Sequence, residues 1–240
     1  MIQIRVTKSV IPNLFTAMNM FCGFLSILHT NKGDFTYAAW LIIIAALFDA
    51  LDGIVARLTK SSSKLGVQLD SLSDVISFGV APAFLIYSTY LNNFDTAGII
   101  ISALFMIAGG FRLARFNVQL AGFDKTFFYG LPIPLAAITI SSLILTFFNP
   151  ITGYPENIAK IIIPLILILS FMMISRIKYS SLPHISLSSV KEHPFQFLFL
   201  LTAGILVVIT TGKAFFYIFV FFILFVIFQH LFNSIMLKKD

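Results

Sequence analysis

The chain has 240 residues, of which 58% are hydrophobic and 11% charged, with a mean hydropathy of +0.97. At this length such a composition excludes a soluble domain, alone or on a single anchor, and predicts an all-α integral membrane protein. A net charge of +6 does not point to nucleic acid here, because the basic residues lie between apolar segments instead of interleaving with aromatic ones.

In chain order, a short tail carrying Arg5 and Lys8 precedes an apolar stretch from about Ile11 to Leu28. Its polar Asn13, Thr16 and Asn19, and the lack of a small-residue cleavage site, favour a retained first helix over a secretory leader. Seven more apolar segments follow at about 36–57, 66–90, 97–117, 131–148, 158–175, 195–211 and 214–236. Each approaches the roughly 20 residues that cross a hydrocarbon core, so about eight transmembrane helices are expected in a single membrane domain over 1–240. Cys22 is the only cysteine, which rules out an intrachain disulfide and leaves no Cys/His zinc spacing.

Charge orients these segments. With both termini cytoplasmic, the cytoplasmic side holds Arg5, Lys8, Arg57, Lys60, Lys64, Arg112, Arg115, Lys125, Arg176, Lys178, Lys191, Lys238 and Lys239, which is 13 of the 16 basic residues. Lys32, Lys160 and Lys213 remain outside. The asymmetry obeys the positive-inside rule and predicts a multi-pass protein of the inner, cytoplasmic membrane.

One stretch stands apart. Of ten acidic residues, Asp49, Asp52, Asp70 and Asp74 alone fall inside apolar segments. An ionised carboxylate within a membrane costs a few kcal/mol, so it persists where it meets a partner or a watery cavity. The polar run Thr59 to Lys64 makes a turn centred near residue 61, and counting outward from it Asp52 mirrors Asp70 while Asp49 nearly mirrors Asp74. Each pair shares a helical face, three or four residues apart, so a helical hairpin brings all four to similar depth beside the cytoplasm. Oxygen ligands of this kind suit magnesium, manganese or calcium, and paired divalent ions clamp phosphate oxygens during displacement at phosphorus. Gly53, Ala56 and Gly66 are small enough for the two helices and a nucleotide to approach closely. Arg57, just above the acids, reads either as a phosphate ligand or as a membrane-edge anchor.

The pattern Asp49-x-x-Asp52-Gly53-x-x-Ala56-Arg57, eight residues, then Gly66-x-x-x-Asp70-x-x-x-Asp74 resembles the signature of the CDP-alcohol phosphotransferases at every signature position. The resemblance implies a six-helix core, about 10–176, usually dimeric, with a polar cavity open to the cytoplasm; the helices over about 195–236 are then accessory. It further implies that Asp49, Asp52, Asp70 and Asp74 hold two divalent cations, Mg2+ or Mn2+, and that Asp74 is also the general base. Gly53, Ala56, Arg57 and the Ser63 region, with Gly66, line the CDP site.

Three further stretches look like the phosphatidylserine synthase branch: Pro12-Asn13-Leu14-Phe15-Thr16-x-x-Asn19, Phe111-Arg112-Leu113-Ala114-Arg115-Phe116-Asn117, and Gly130-Leu131-Pro132-Ile133-Pro134. By that likeness the substrates are CDP-diacylglycerol and L-serine, and CMP is released. Asn13, Thr16 and Asn19, recurring every three residues along one edge, either face the nucleotide or simply cap and pack the first helix. Arg112, Arg115 and Asn117 are candidate acceptor ligands, or, for the two arginines, snorkelling anchors. A sister enzyme using glycerol 3-phosphate, inositol phosphate or an ether-lipid donor is the alternative. A cation transporter is a remote one, since a single hairpin near one face carries all four acids with no second copy.

Overall fold

A computed structural model describes residues 10–59, 63–120, 128–179, 216–221 and 223–224. These are helical apart from short turns and one two-residue strand pairing. Helix α1 covers Val10–Asn31, α2 Phe35–Thr59 and α3 Lys64–Asp74; a π-helical turn, Val75–Val80, carries α3 into α4, Ala81–Thr89. Helix α5 spans Asp95–Leu120, α6 Ile133–Phe147 and α7 Glu156–Ile174. Strands β1 (Phe128–Tyr129) and β2 (Lys178–Tyr179) pair antiparallel beyond the ends of α5 and α7.

Among the described residues five helices are long and apolar enough to cross a membrane, the π-turn being part of the third, which runs Leu65–Thr89. The molecule is a multi-pass membrane protein on this count. Helix α6 has only 15 residues, about 22 Å of rise at 1.5 Å per residue, shorter than the predicted span. Pro132 and Pro134 set its start, where a missing N–H costs nothing. The segment at 195–211 lies outside the described residues, as do both termini, and that at 214–236 is helical where described.

Helix α1 packs along α2 and also touches α3, the π-turn and α4, so it lies against both acid-bearing helices. The core proper, with Ile42, Phe78, Leu85, Phe105, Ile133 and Ile140 fully buried, sits further from the hairpin turn, between α2, α4, α5 and α6. At the opposite end of the bundle, the Tyr154 hydroxyl donates to Thr89 Oγ1 at 3.1 Å, and burial pushes its phenol well above the usual range. Tyr90 closes the same end by donating to the Ala159 carbonyl at 2.8 Å.

Candidate active site

The two acid-bearing helices end on either side of the predicted turn, of which residues 60–62 lie outside the described residues. Helix α2 runs to Thr59, and Ser63 caps α3 by accepting the Gly66 N–H at 3.0 Å. Serine is favoured there because its hydroxyl satisfies an N–H that the helix leaves unpaired.

Across the hairpin the acids face one another, Asp49 interacting with Asp74 and Asp52 with Asp70. Ligand oxygens of Asp49, Asp70 and Asp74 lie within 4.8 Å of one another. Asp52 and Asp74 are buried, Asp49 and Asp70 half-buried. Carboxylates this close repel unless a proton or a cation lies between them. Asp70 Oδ1 is buried without a hydrogen-bond partner among the described residues, as expected for an oxygen kept for a metal. A hard, all-oxygen donor set with an orphaned buried oxygen fits a divalent cation such as Mg2+ or Mn2+.

Helix α1 holds the acids from the side. Thr16 Oγ1 donates to Asp52 Oδ2 at 2.8 Å and Asn19 Nδ2 to Asp74 Oδ1 at 3.2 Å. In return Ser73 Oγ donates to the Thr16 carbonyl at 3.1 Å and Ser77 Oγ to the Asn19 carbonyl at 2.9 Å. The close approach depends on Gly23, where a Cβ would stand 2.6 Å from the Ser77 Cα.

Above the acids opens a cleft of about 130 Å³ between α1, α2 and α3. Asn13 and Thr16 line it from α1, Gly53 and Ala56 from α2, and Ser63 and Gly66 from the start of α3; Asp52 and Asp70 form its floor. These are the residues expected around CDP, apart from Arg57, whose side chain lies outside the described residues. The glycines divide the work. A Cβ on Gly66 would sit 3.1 Å from Ser63 Oγ and 3.2 Å from Asn13 Oδ1, whereas one on Gly53 would meet nothing within 4 Å among the described residues. Gly53 therefore leaves room in the cleft and is not needed for helix packing.

The α5 residues separate. Arg112 interacts electrostatically with Asp49, and its guanidinium carbon lies 6.0 Å from the Phe116 ring centroid. Helix α5 extends to Leu120, so Arg112 is further from its end than the sequence implied. Asn117 and Ser71 are hydrogen-bonded, with Asn117 Nδ2 donating at 2.8 Å, which ties α5 to the turn beside Asp70. Arg115 instead clasps the end of α7, donating to the carbonyls of Ile174 at 2.7 Å, Ser175 at 3.1 Å and Met173 at 3.3 Å. Gly130, at φ +82°, packs into the same clasp, its N–H bonded to the Ile177 carbonyl at 2.9 Å.

Sequence reading did not find the Asn19 contact with Asp74, nor the serines that hold α1. The available signals were the three-residue spacing of Asn13, Thr16 and Asn19 and the run Ser71, Ser73, Ser77 on the acid-bearing segment.

A profile of the CDP-alcohol phosphatidyltransferase family matches residues 9–172. A CDP-diacylglycerol–serine O-phosphatidyltransferase of Helicobacter pylori is 42% identical over 168 residues, 70% of each chain. An archaetidylserine synthase of Methanothermobacter thermautotrophicus is 46% identical over 171 residues, 70% of this chain and 69% of its own. A CDP-diacylglycerol–serine O-phosphatidyltransferase of Bacillus subtilis is 35% identical over 175 residues, covering 72% of this chain and 90% of its own.

Proposed function

The chain belongs to the CDP-alcohol phosphatidyltransferase family, and from that premise we propose that it transfers the phosphatidyl group of CDP-diacylglycerol to the hydroxyl of L-serine. The products are phosphatidylserine and CMP, and the process is phospholipid biosynthesis. The names of its relatives in Helicobacter pylori and Bacillus subtilis support the donor and the acceptor. One observation carries the reading: a cluster of buried and half-buried carboxylates lies beneath a cleft lined by small and polar residues.

Asp49, Asp52, Asp70 and Asp74 hold two divalent cations. When bound, these supply charge neutralisation for the pyrophosphate and for the phosphate that leaves. Asn13, Thr16, Gly53, Ala56, Ser63 and Gly66 hold the nucleotide, and Arg57 contacts a phosphate. The serine carboxylate is taken by Arg112, whose planar guanidinium suits a two-point grip and which interacts with Asp49. Asn117 lines that side, and Arg115 supports it by holding the end of α7. Asp74 accepts the serine hydroxyl proton. The freed oxygen attacks the phosphorus that carries diacylglycerol, a new P–O bond forms, and the bond to CMP breaks.

The basic residues at the hairpin turn face this chemistry toward the cytoplasm, with the lipid tails of the donor in the bilayer of the cytoplasmic membrane. A catalytic core over about 10–176, accessory helices over about 195–236 and a homodimer complete the proposal. A second reading keeps serine and changes the donor to an ether-linked CDP-lipid, favoured by the 46% identity to archaetidylserine synthase.

The test is incubation of purified protein with CDP-diacylglycerol, Mg2+ or Mn2+, and separate acceptors. Serine-dependent CMP release is expected, and Asp74→Asn should abolish it while nucleotide binding survives. Release with glycerol 3-phosphate alone would keep the family and overturn the product; stronger release from an ether-linked donor would select the second reading.

A further inference from the structure

Asn19 is fully buried, its amide nitrogen bonds Asp74 Oδ1 at 3.2 Å, and its own Oδ1 has no hydrogen-bond partner among the described residues. A buried amide in a membrane interior with one unsatisfied acceptor is costly, and an apolar side chain of the same size would avoid that cost. The donor end is therefore what the position supplies. A carboxylate offers only acceptors, so the amide must present its nitrogen to Asp74 and turn its oxygen away.

The surrounding contacts remove freedom from this pair. Ser73, immediately before Asp74, bonds the Thr16 carbonyl, and Ser77, immediately beyond Asp74 on the same face, bonds the carbonyl of Asn19 itself. Gly23 brings the two backbones together one turn further along. The π-helical turn begins at the residue after Asp74, where an irregular winding shifts the downstream register and commonly marks a functional position. Asn19 and Asp74 are thus fixed on two elements locked together on both sides of the contact.

We infer that Asn19 is a positioning residue for the reaction: its amide occupies one oxygen of Asp74 and fixes the carboxylate plane, leaving the other oxygen to face the metal and the acceptor hydroxyl. This rests on the base role proposed above for Asp74. It assigns to α1 a part in the chemical step, distinct from the part Asn13 and Thr16 play at the nucleotide.

The test uses the purified full chain in detergent as wild type, Asn19→Leu and Asn19→Asp, both close to asparagine in size. The kcat, the KM values for CDP-diacylglycerol and serine, and Mn2+ binding followed by the EPR signal of the free ion are measured together. Asn19→Leu should lower kcat about tenfold to hundredfold, the range for a misplaced reacting group, while both KM values and Mn2+ affinity stay within about threefold. Asn19→Asp should lose at least as much, because it sets a second anion where the donor stood. Should Asn19→Leu not fold, Asn19→Asp gives the same decision. A kcat within twofold of wild type in either variant, or a loss confined to KM, overturns the inference. If wild type releases CMP only with another acceptor, the serine reading fails, and kcat on that acceptor decides the role of Asn19. Wild type releasing CMP with no acceptor removes both.

Discussion

Gly23 has no side chain to offer the acids, yet Gly23→Ala should damage catalysis. Its Cβ would stand 2.6 Å from the Ser77 Cα, against about 3.5–4.0 Å for a normal carbon contact. Backbone cannot swing aside as a side-chain tip does, so α1 must recede from the acid-bearing segment by about 1 Å to regain that spacing. The contacts at stake are Thr16 to Asp52 at 2.8 Å and Asn19 to Asp74 at 3.2 Å. An added ångström takes both to about 3.8–4.2 Å, past hydrogen-bonding range. Overpacking itself costs about 1–3 kcal/mol of stability. Each hydrogen bond to a charged group is worth about 1.5–3 kcal/mol, so loss of even one lowers turnover about 10- to 150-fold. The assay is metal-dependent CMP release with thermal unfolding of the same detergent-solubilised sample. A Gly23→Ala protein that melts a few degrees low and turns over at the wild-type rate would refute the link between helix approach and acid placement.

Gly53→Ala gives the opposite pattern. With nothing within 4 Å of the added methyl among the described residues, stability should hold or rise by up to about 1 kcal/mol, as for glycine replaced in a helix. The KM for CDP-diacylglycerol should rise, because the methyl enters the cleft; a lower melting temperature with unchanged KM would contradict it. Thr16→Val keeps the shape and removes the bond to Asp52, so kcat/KM should fall about tenfold or more, read by initial CMP-release rates. Arg112→Lys keeps the charge but loses the fork, so the KM for serine should rise about tenfold with that for CDP-diacylglycerol little changed. Equal effects on both substrates would remove Arg112 from the acceptor side.

The parts of the site legible in the sequence were those set within one hairpin. Asp49, Asp52, Asp70 and Asp74 are fixed relative to one another by helix periodicity and by a turn whose polar run is plain, and Ser63 announces the cap of α3. Their partners came from α1 and α5, whose rotation about their own axes is set by tertiary packing. Asn19 and Thr16 share an edge in the sequence, but it is the packing of α1, with Gly23 seated on Ser77, that sends one to Asp74 and the other to Asp52. Arg112 and Arg115 look alike at three residues apart, yet packing turns the first toward Asp49 and the second onto the carbonyls that end α7. The π-turn after Asp74 was equally hidden, since Val75 to Val80 reads as an ordinary apolar stretch.

Whether metal is gripped between α2 and the segment facing it is decided most directly by anomalous scattering from crystals grown with Mn2+. The account predicts two manganese peaks among the carboxylates of Asp49, Asp52, Asp70 and Asp74, with Asp70 Oδ1 ligating. A map without manganese at those side chains, or with the ion held elsewhere, would contradict it.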